Sequence, residues 1–185
     1  MNVSFLENYY HKLKELITTD KNHYRKIYLL KKIILKAKSK KKKIIILGNG
    51  GSSSIASHFS VDLTKNAMIK CINFNEYDLI TCFANDFGYE NWMKKAIEYY
   101  AEKDDVCIFI SSSGKSKNIL NACKYIKRKK LCKIVTFSGF DINNTLKKQG
   151  ILNFWVNSKV YNHVENIHQI WLLSLIDLLI FDNNK

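Results

Sequence analysis

Residues Ile44 to Asp62 read IIILGNGGSSSIASHFSVD. Four consecutive aliphatic residues, Ile44 to Leu47, stop at Gly48-Asn49-Gly50-Gly51; three serines follow, and His58 and Asp62 then stand four apart. A short apolar run closed by glycine reads as a buried strand. The glycines admit positive φ and let a ligand come close to the backbone. The serines supply an N-cap and hydroxyl donors to the helix that begins there. Unpaired amides and the positive dipole end at such a start favour an anion such as phosphate. Taken alone, the same cluster also serves as an ordinary strand-to-helix turn.

The unit recurs further along. Val106 to Ile110 is a second strongly apolar run; it ends in Ser111-Ser112-Ser113-Gly114-Lys115-Ser116, and a helix from about Ser116 to Arg128 follows. In an open α/β sheet, ligands bind beyond the carboxyl ends of the strands, where loops from adjacent strands meet. Both loops here are small and rich in hydroxyls, and serine hydroxyls with backbone amides can hold a phosphate dianion without a fixed cation. Two nucleotide motifs are excluded by single positions. A Walker loop ending at Gly114-Lys115-Ser116 needs glycine at 109, which is Phe109, and GxGxxG starting at Gly48 needs it at 53, which is Ser53.

Around these units the periodicity places the other elements. Residues 4–19 put Phe5, Tyr9, Leu13 and Leu16 on one helical stripe, and Thr19-Asp20 caps a second helix over about 21–38. These two helices suit either a partner subunit or the chain's own sheet. Lys43 to Leu47 opens the core sheet, and Ala67 to Phe74 is a β-like run. Leu79 to Phe83 reads as a short helix, Ala84 to Glu90 as a turn, and a helix then extends to Tyr100. Further strands are expected over Cys132 to Phe137 and Ile151 to Val156, a helical patch near Asp141 to Gln149, and a long closing helix from about Tyr161 to Phe181. Strands alternating with helices imply an α/β fold with a parallel sheet covered on both faces.

The bulk properties fit one domain over 1–185: 46% hydrophobic and 25% charged residues is a globular composition, and there is no proline to mark a linker. The formal charge of +14 raises the question of nucleic acid. Its densest runs, KAKSKKKK (36–43) and KYIKRKKLCK (124–133), lie just before strand-like segments, where helix C-termini are expected and cations complement the dipole. Aromatic residues are not interleaved as on a stacking surface for single strands. A solvated basic face is therefore expected, and nucleic acid is not the expected partner. Five cysteines without CxxC spacing, several in apolar runs, point to a reducing compartment. The N-terminus lacks a signal pattern and no uninterrupted apolar run reaches 18 residues, so a cytoplasmic protein with no membrane segment is expected.

Three motifs together, GNGGS-x5-HF-x2-[ED]L, ANDFGYE and IS-[ST]-SG-x-S-x-N-[IV]-L-x-A, resemble the sugar isomerase (SIS) domain family, most nearly its phosphoheptose isomerase subgroup. The resemblance runs from about Lys21 to Phe181. It implies a flavodoxin-like three-layer α/β/α sandwich, a homotetramer with active sites between subunits, and interconversion of sedoheptulose 7-phosphate with a heptose 7-phosphate. Position by position, it implies substrate contacts at Asn49, Gly50 and Gly51, and at the pair Asn85 and Asp86. It implies phosphate contacts at Ser52, Ser111, Ser112, Ser113 and Ser116.

The resemblance also implies zinc. His58 matches a metal ligand, Asp62 falls where the family has a glutamate that is both ligand and base, and Glu165 falls where it has a glutamine ligand. Asp62 and Glu165 are thus the expected catalytic carboxylates, and His58, Asp62 and Glu165 the expected metal set. Leu173 stands where the family has its last metal-binding histidine. Leucine neither binds metal nor transfers a proton, so the implied site is incomplete. A non-catalytic sugar-phosphate binder and a protein adaptor, like the relative that associates with the bacterial replication initiator, are the alternatives.

Overall fold

The computed structural model describes residues 2–18 and 20–183, so Thr19 of the expected cap and the extreme ends of the 1–185 domain lie outside the described residues. Five parallel strands form one sheet: β1 (Ile44–Gly48), β2 (Cys71–Ile72), β3 (Val106–Ser111), β4 (Lys133–Ser138) and β5 (Leu152–Trp155). Their spatial order is β2-β1-β3-β4-β5. The helices are α1 (Val3–Ile17), α2 (Lys21–Ser39), α3 (Gly51–Lys65), α4 (Tyr77–Phe87), α5 (Trp92–Tyr100), α6 (Lys117–Lys129) and α7 (Tyr161–Asn183).

The period of two along each strand builds the layers. On β1, Ile44 and Ile46 face one hydrophobic cluster with Leu30 and Ile34 of α2, Phe59 and Leu63 of α3, and Leu172 and Leu175 of α7. Ile45 and Leu47 face the other, with Trp92 and Met93 of α5 and Ile119 and Cys123 of α6. All five residues of β1 and all six of β3 are buried. Continuous apolar runs belong in a parallel sheet covered on both sides. The expected α/β/α sandwich is what forms.

Chain order reverses across the sheet between β1 and β3, which pair in register from Ile44↔Val106 to Gly48↔Ile110. This is the topological switch point, where two outgoing connections leave neighbouring strands in opposite directions and open a crevice. The loops leaving β1 and β3 are the two serine-rich turns.

At the opposite end of the same strands, the fully buried Asp105 clamps the sheet. Its carboxylate accepts from Lys43 N at 3.0 Å and Glu102 N at 2.8 Å, and pairs with Lys43 Nζ at 2.8 Å. Burial opposes the charge on Lys43, but its bonds to Asp105 and Glu102 outweigh it and hold the amine's pKa above the usual lysine value.

Several elements differ from the sequence expectation. The β-like run 67–74 contributes only Cys71–Ile72 to the sheet. α4 continues through Ala84 to Phe87, which had been expected as a turn, and ends at Gly88, whose φ of +80° suits glycine. Residues 141–149 form turns rather than a helix, tied down by the buried Asn144. Of the two N-terminal helices, α2 buries Ile27, Leu30, Ile34 and Ala37 on the chain's own core, whereas α1 buries none of its residues. α7 is the one described helix long and apolar enough to cross a membrane by length and composition, with mean hydropathy 1.4 over an 18-residue window of Tyr161–Asp182. Its Val164, Ile167, Leu172, Leu175 and Leu179 are core residues of the sandwich, which accounts for that composition.

Candidate active site

At the switch point lies a cavity of about 120 Å³ lined by Asn49, Ser52, Ile110, Ser111, Ser112, Ser113, Ser116, Tyr161 and Glu165. Three connections converge there. Ser52 comes from the first turn of α3, the serines 111–116 from the loop between β3 and α6, and Tyr161 with Glu165 from the first turns of α7. The N-termini of α3 and α6 both begin at this loop cluster, so amides and positive dipole ends converge with the hydroxyls.

Local geometry holds each piece. Gly50 has φ +54° and Ser53 Oγ donates to its carbonyl at 2.7 Å, which turns the chain sharply from β1 into α3. A Cβ on Gly51 would run into the carboxylate of Glu165, so the absent side chain is what lets α7 bring that carboxylate against the start of α3. Ser112 Oγ donates to Glu165 Oε1 at 3.4 Å. Ser111 Oγ and Ser116 Oγ share a hydrogen bond of 3.0 Å across the loop, and Lys115 N donates to Ser113 Oγ at 3.3 Å. Gly114 has φ +65° and packs face to face with the side chain of Asn144, leaving no room for a Cβ.

Two groups of residues outside the expected site set support this site, although Asn118 and Tyr89 lie within the quoted motifs. Asn144 donates to Ser138 Oγ, Gly139 O and Asp141 O at 3.0, 3.2 and 2.8 Å, while Gly139 N donates to Ser112 O at 2.8 Å. The end of β4 is thereby fastened to the serine loop. Asn49 exchanges two side-chain hydrogen bonds with the buried Asn118, at 3.0 and 2.9 Å, and Tyr89 Oη donates to Asn49 Oδ1 at 3.2 Å. Tyr161 lines the cavity itself. Asn144 and Tyr161 belong to no motif, and only the fold brings these side chains to the serines.

The expected site residues thus divide. Asn49, Ser52, Ser111, Ser112, Ser113, Ser116 and Glu165 come together, with Gly50 and Gly51 shaping the turn beneath them. Asn85 and Asp86 do not join the cavity. They sit at the end of α4, bonded to each other at 3.0 Å, and only Tyr89 three residues on reaches Asn49. His58 Nε2 and Asp62 Oδ2 lie 3.2 Å apart on one exposed face of α3, as their spacing of four predicts. Glu165 is not with them, because it abuts Gly51, and His58 lies seven positions further along the helix, roughly 10 Å of axial rise.

A zinc ion needs at least three protein ligands. Among the described residues, no three His, Cys, Asp or Glu side chains gather into a group that could hold a metal. Within one chain the implied set reduces to His58 and Asp62, and these donors do not fit a zinc site. His163 and His168 do not complete it. His163 is buried with both ring nitrogens unpartnered and its ring 4.4 Å from that of Tyr9; His168 is wholly buried, with Nε2 3.2 Å from Ser138 O.

Comparison with known proteins bears on the same residues. The SIS domain family model matches residues 8–139. The chain belongs to the SIS domain family. Among the relatives of this SIS chain, a phosphoheptose isomerase of Histophilus somni is 30% identical over 130 residues, covering 68% of this chain and 64% of the relative. That of Helicobacter pylori (strain 26695) is 32% identical over 134 residues, covering 69% and 68%. The matched region therefore spans about two thirds of these relatives' own length. In three dimensions, a phosphoheptose isomerase from Francisella tularensis superposes with TM-score 0.85 at 20% identity, over 97% of this chain and 98% of that one. A phosphoheptose isomerase from Neisseria gonorrhoeae superposes with TM-score 0.78 at 20% identity, over 96% and 95%. At such identities the superpositions establish the SIS fold.

Proposed function

We propose that this SIS domain is a phosphosugar aldose–ketose isomerase acting on a heptose-type phosphate such as sedoheptulose 7-phosphate. The observation that carries the reading is the convergence of Ser52, the Ser111–Ser116 loop and Glu165 on one cavity. The hydroxyls and helix-start amides take the phosphate, and Asn49, held by Asn118 and Tyr89, faces the sugar. Isomerisation removes the proton on C2 of the aldose and delivers one to C1 through an enediol, with matching proton exchange between O1 and O2. It needs a base near the C–H and an acid near the oxygens. Glu165 is the carboxylate inside the cavity and takes the first task. Asp62, paired with His58 on α3 outside this cavity, is the second proposed catalytic carboxylate and, like Asn85 and Asp86, meets the substrate where copies assemble.

We infer a homotetramer working in the reducing cytoplasm. What supports the assembly is the apolar surface of the N-terminal helices, with Phe5, Leu6 and Tyr10 on α1 and Tyr24, Tyr28 and Leu29 on α2 half or more exposed. Light scattering is expected to give four times the 21.6 kDa chain mass, and a monomer at micromolar concentration would contradict it. The compartment is supported by five free cysteines, of which Cys71, Cys107 and Cys123 are buried.

NMR of the protein with sedoheptulose 7-phosphate tests the activity. Resonances of the aldose isomer are expected to grow, about 10² to 10⁴ times more slowly in E165Q, the usual range for losing a positioned acid–base group. Leu173, in the place of a histidine, favours a second reading, a sugar-phosphate binder without turnover. In that case the sugar phosphate raises the melting temperature and no second isomer appears.

A further inference from the structure

The serine cavity is not the only concave surface built for anions. Between α5 and α6 lies a cleft of about 240 Å³ lined by Asn91, Lys94, Asn121, Lys124, Tyr125 and Arg128. On α6, positions 121, 124, 125 and 128 follow the spacing of one helical face, and across from them stand Asn91, which precedes α5, and Lys94 in its first turn.

Among the described residues six lysines pair with a carboxylate, and none of the six lines this cleft. Lys31, Lys40, Lys42 and Lys43 each have a carboxylate partner. Lys94, Lys124 and Arg128 have none among the described residues. α6 carries no Asp or Glu in its thirteen residues. The one carboxylate of α5, Glu98, is taken by Lys95 at 3.0 Å. Three cations therefore face one hollow with no carboxylate paired to them among the described residues.

The floor is pre-organised. Asn121 Nδ2 donates to Glu90 O at 2.9 Å and lies 3.4 Å from Asn91 Oδ1, while Asn91 Nδ2 donates to Phe87 O at 3.0 Å. Arg128 lies over the Tyr125 ring, its guanidinium carbon 5.9 Å from the centroid, so its planar donors are held at the rim. The volume admits a small molecule and not a folded chain.

We propose that the α5–α6 cleft is a second anion site for a small ligand carrying two or more phosphate groups, of the inorganic polyphosphate or nucleoside diphosphate kind. A single phosphate dianion would leave one of the three cations unmatched; a pyrophosphate unit matches all three. The cleft is separate from the serine cavity, sharing none of its lining residues.

Titration calorimetry of the full chain with inorganic pyrophosphate at low salt tests the assignment. One pyrophosphate per chain is expected with unchanged affinity in S113A, a serine-cavity variant, and with affinity at least tenfold weaker in the K124A/R128A double variant. These two side chains are exposed, and K94A offers an independent single change expected to weaken binding in the same direction. Absence of saturable binding to the wild-type chain would overturn the proposal. So would affinity unchanged in K124A/R128A, whether or not S113A binds.

Discussion

Single residues set much of the geometry of the candidate site. Gly51 and Glu165 are a matched pair: because the glycine has no side chain, a carboxylate on a helix over a hundred positions away can sit beside the serine loop. Asn144 does the same for the other turn, filling the space over Gly114 and spending its amide on β4. His168 sets a pH limit on the fold. Burial pushes its imidazole down to about 4, against an unfolded value near 6.5, so the folded state refuses a proton that the unfolded state accepts. Its contribution is complete above pH 6.5 and is lost as pH falls from there through 4. The shift corresponds to roughly 3 kcal/mol. Urea denaturation at pH 7 and pH 4.5 is expected to show a larger drop for the wild-type chain than for H168Q. Equal drops would mean that the buried imidazole is not the titrating group.

Among the elements, β1–α3 and β3–α6 were legible because their signals are local. An aliphatic run closed by glycine or serine marks a strand end, and both strands are buried on both faces, as uninterrupted apolar runs require. The elements that departed from expectation are those whose fate is decided by contacts distant in sequence. Asn85-Asp86 has turn-forming composition, yet α4 runs through it because Leu79, Ile80 and Phe83 pack on the second hydrophobic cluster and carry the helix on to Gly88. Residues 141–149 lose their helix to the side-chain bonds of Asn144. The serine half of the site was readable from its loops; of its supports, Asn118 and Tyr89 lie within the quoted motifs without a role that the sequence reveals, and Asn144 and Tyr161 lie outside them, since all four roles exist only once strands 1, 3 and 4 stand side by side. The Asp105 clamp at the far ends of β1 and β3 belongs to this scale too. D105A leaves Lys43 partly buried and short of its partner, and removes the acceptor for two backbone amides. A loss of about 3–5 kcal/mol in unfolding free energy is expected, the usual cost of breaking a buried pair, read from the denaturation midpoint. A change under about 1 kcal/mol would show that water replaces the carboxylate without cost.

For the whole molecule, the topology sorts the chemistry by position. The reversal of chain order between β1 and β3 opens one crevice, and the neutral hydroxyls, two helix starts and a carboxylate meet there. The positive charge is kept away from it: the cavity lining contains no Lys or Arg, although the chain carries 30 such residues. Phosphate recognition in this account therefore rests on hydrogen bonds and dipoles at the switch point, and the cations serve the outer surface and the α5–α6 cleft. The His58–Asp62 pair on α3 remains two donors wide in a single chain, so the proposed chemistry is assigned to carboxylates. A crystal structure of the protein with sedoheptulose 7-phosphate measures this most directly. The account predicts the phosphorus at the switch point, its oxygens within hydrogen-bond distance of the Ser111–Ser116 hydroxyls, and the sugar carbons turned toward Asn49 and Glu165. A phosphate seated among Lys94, Lys124 and Arg128, with the serine cavity holding only solvent, would contradict it.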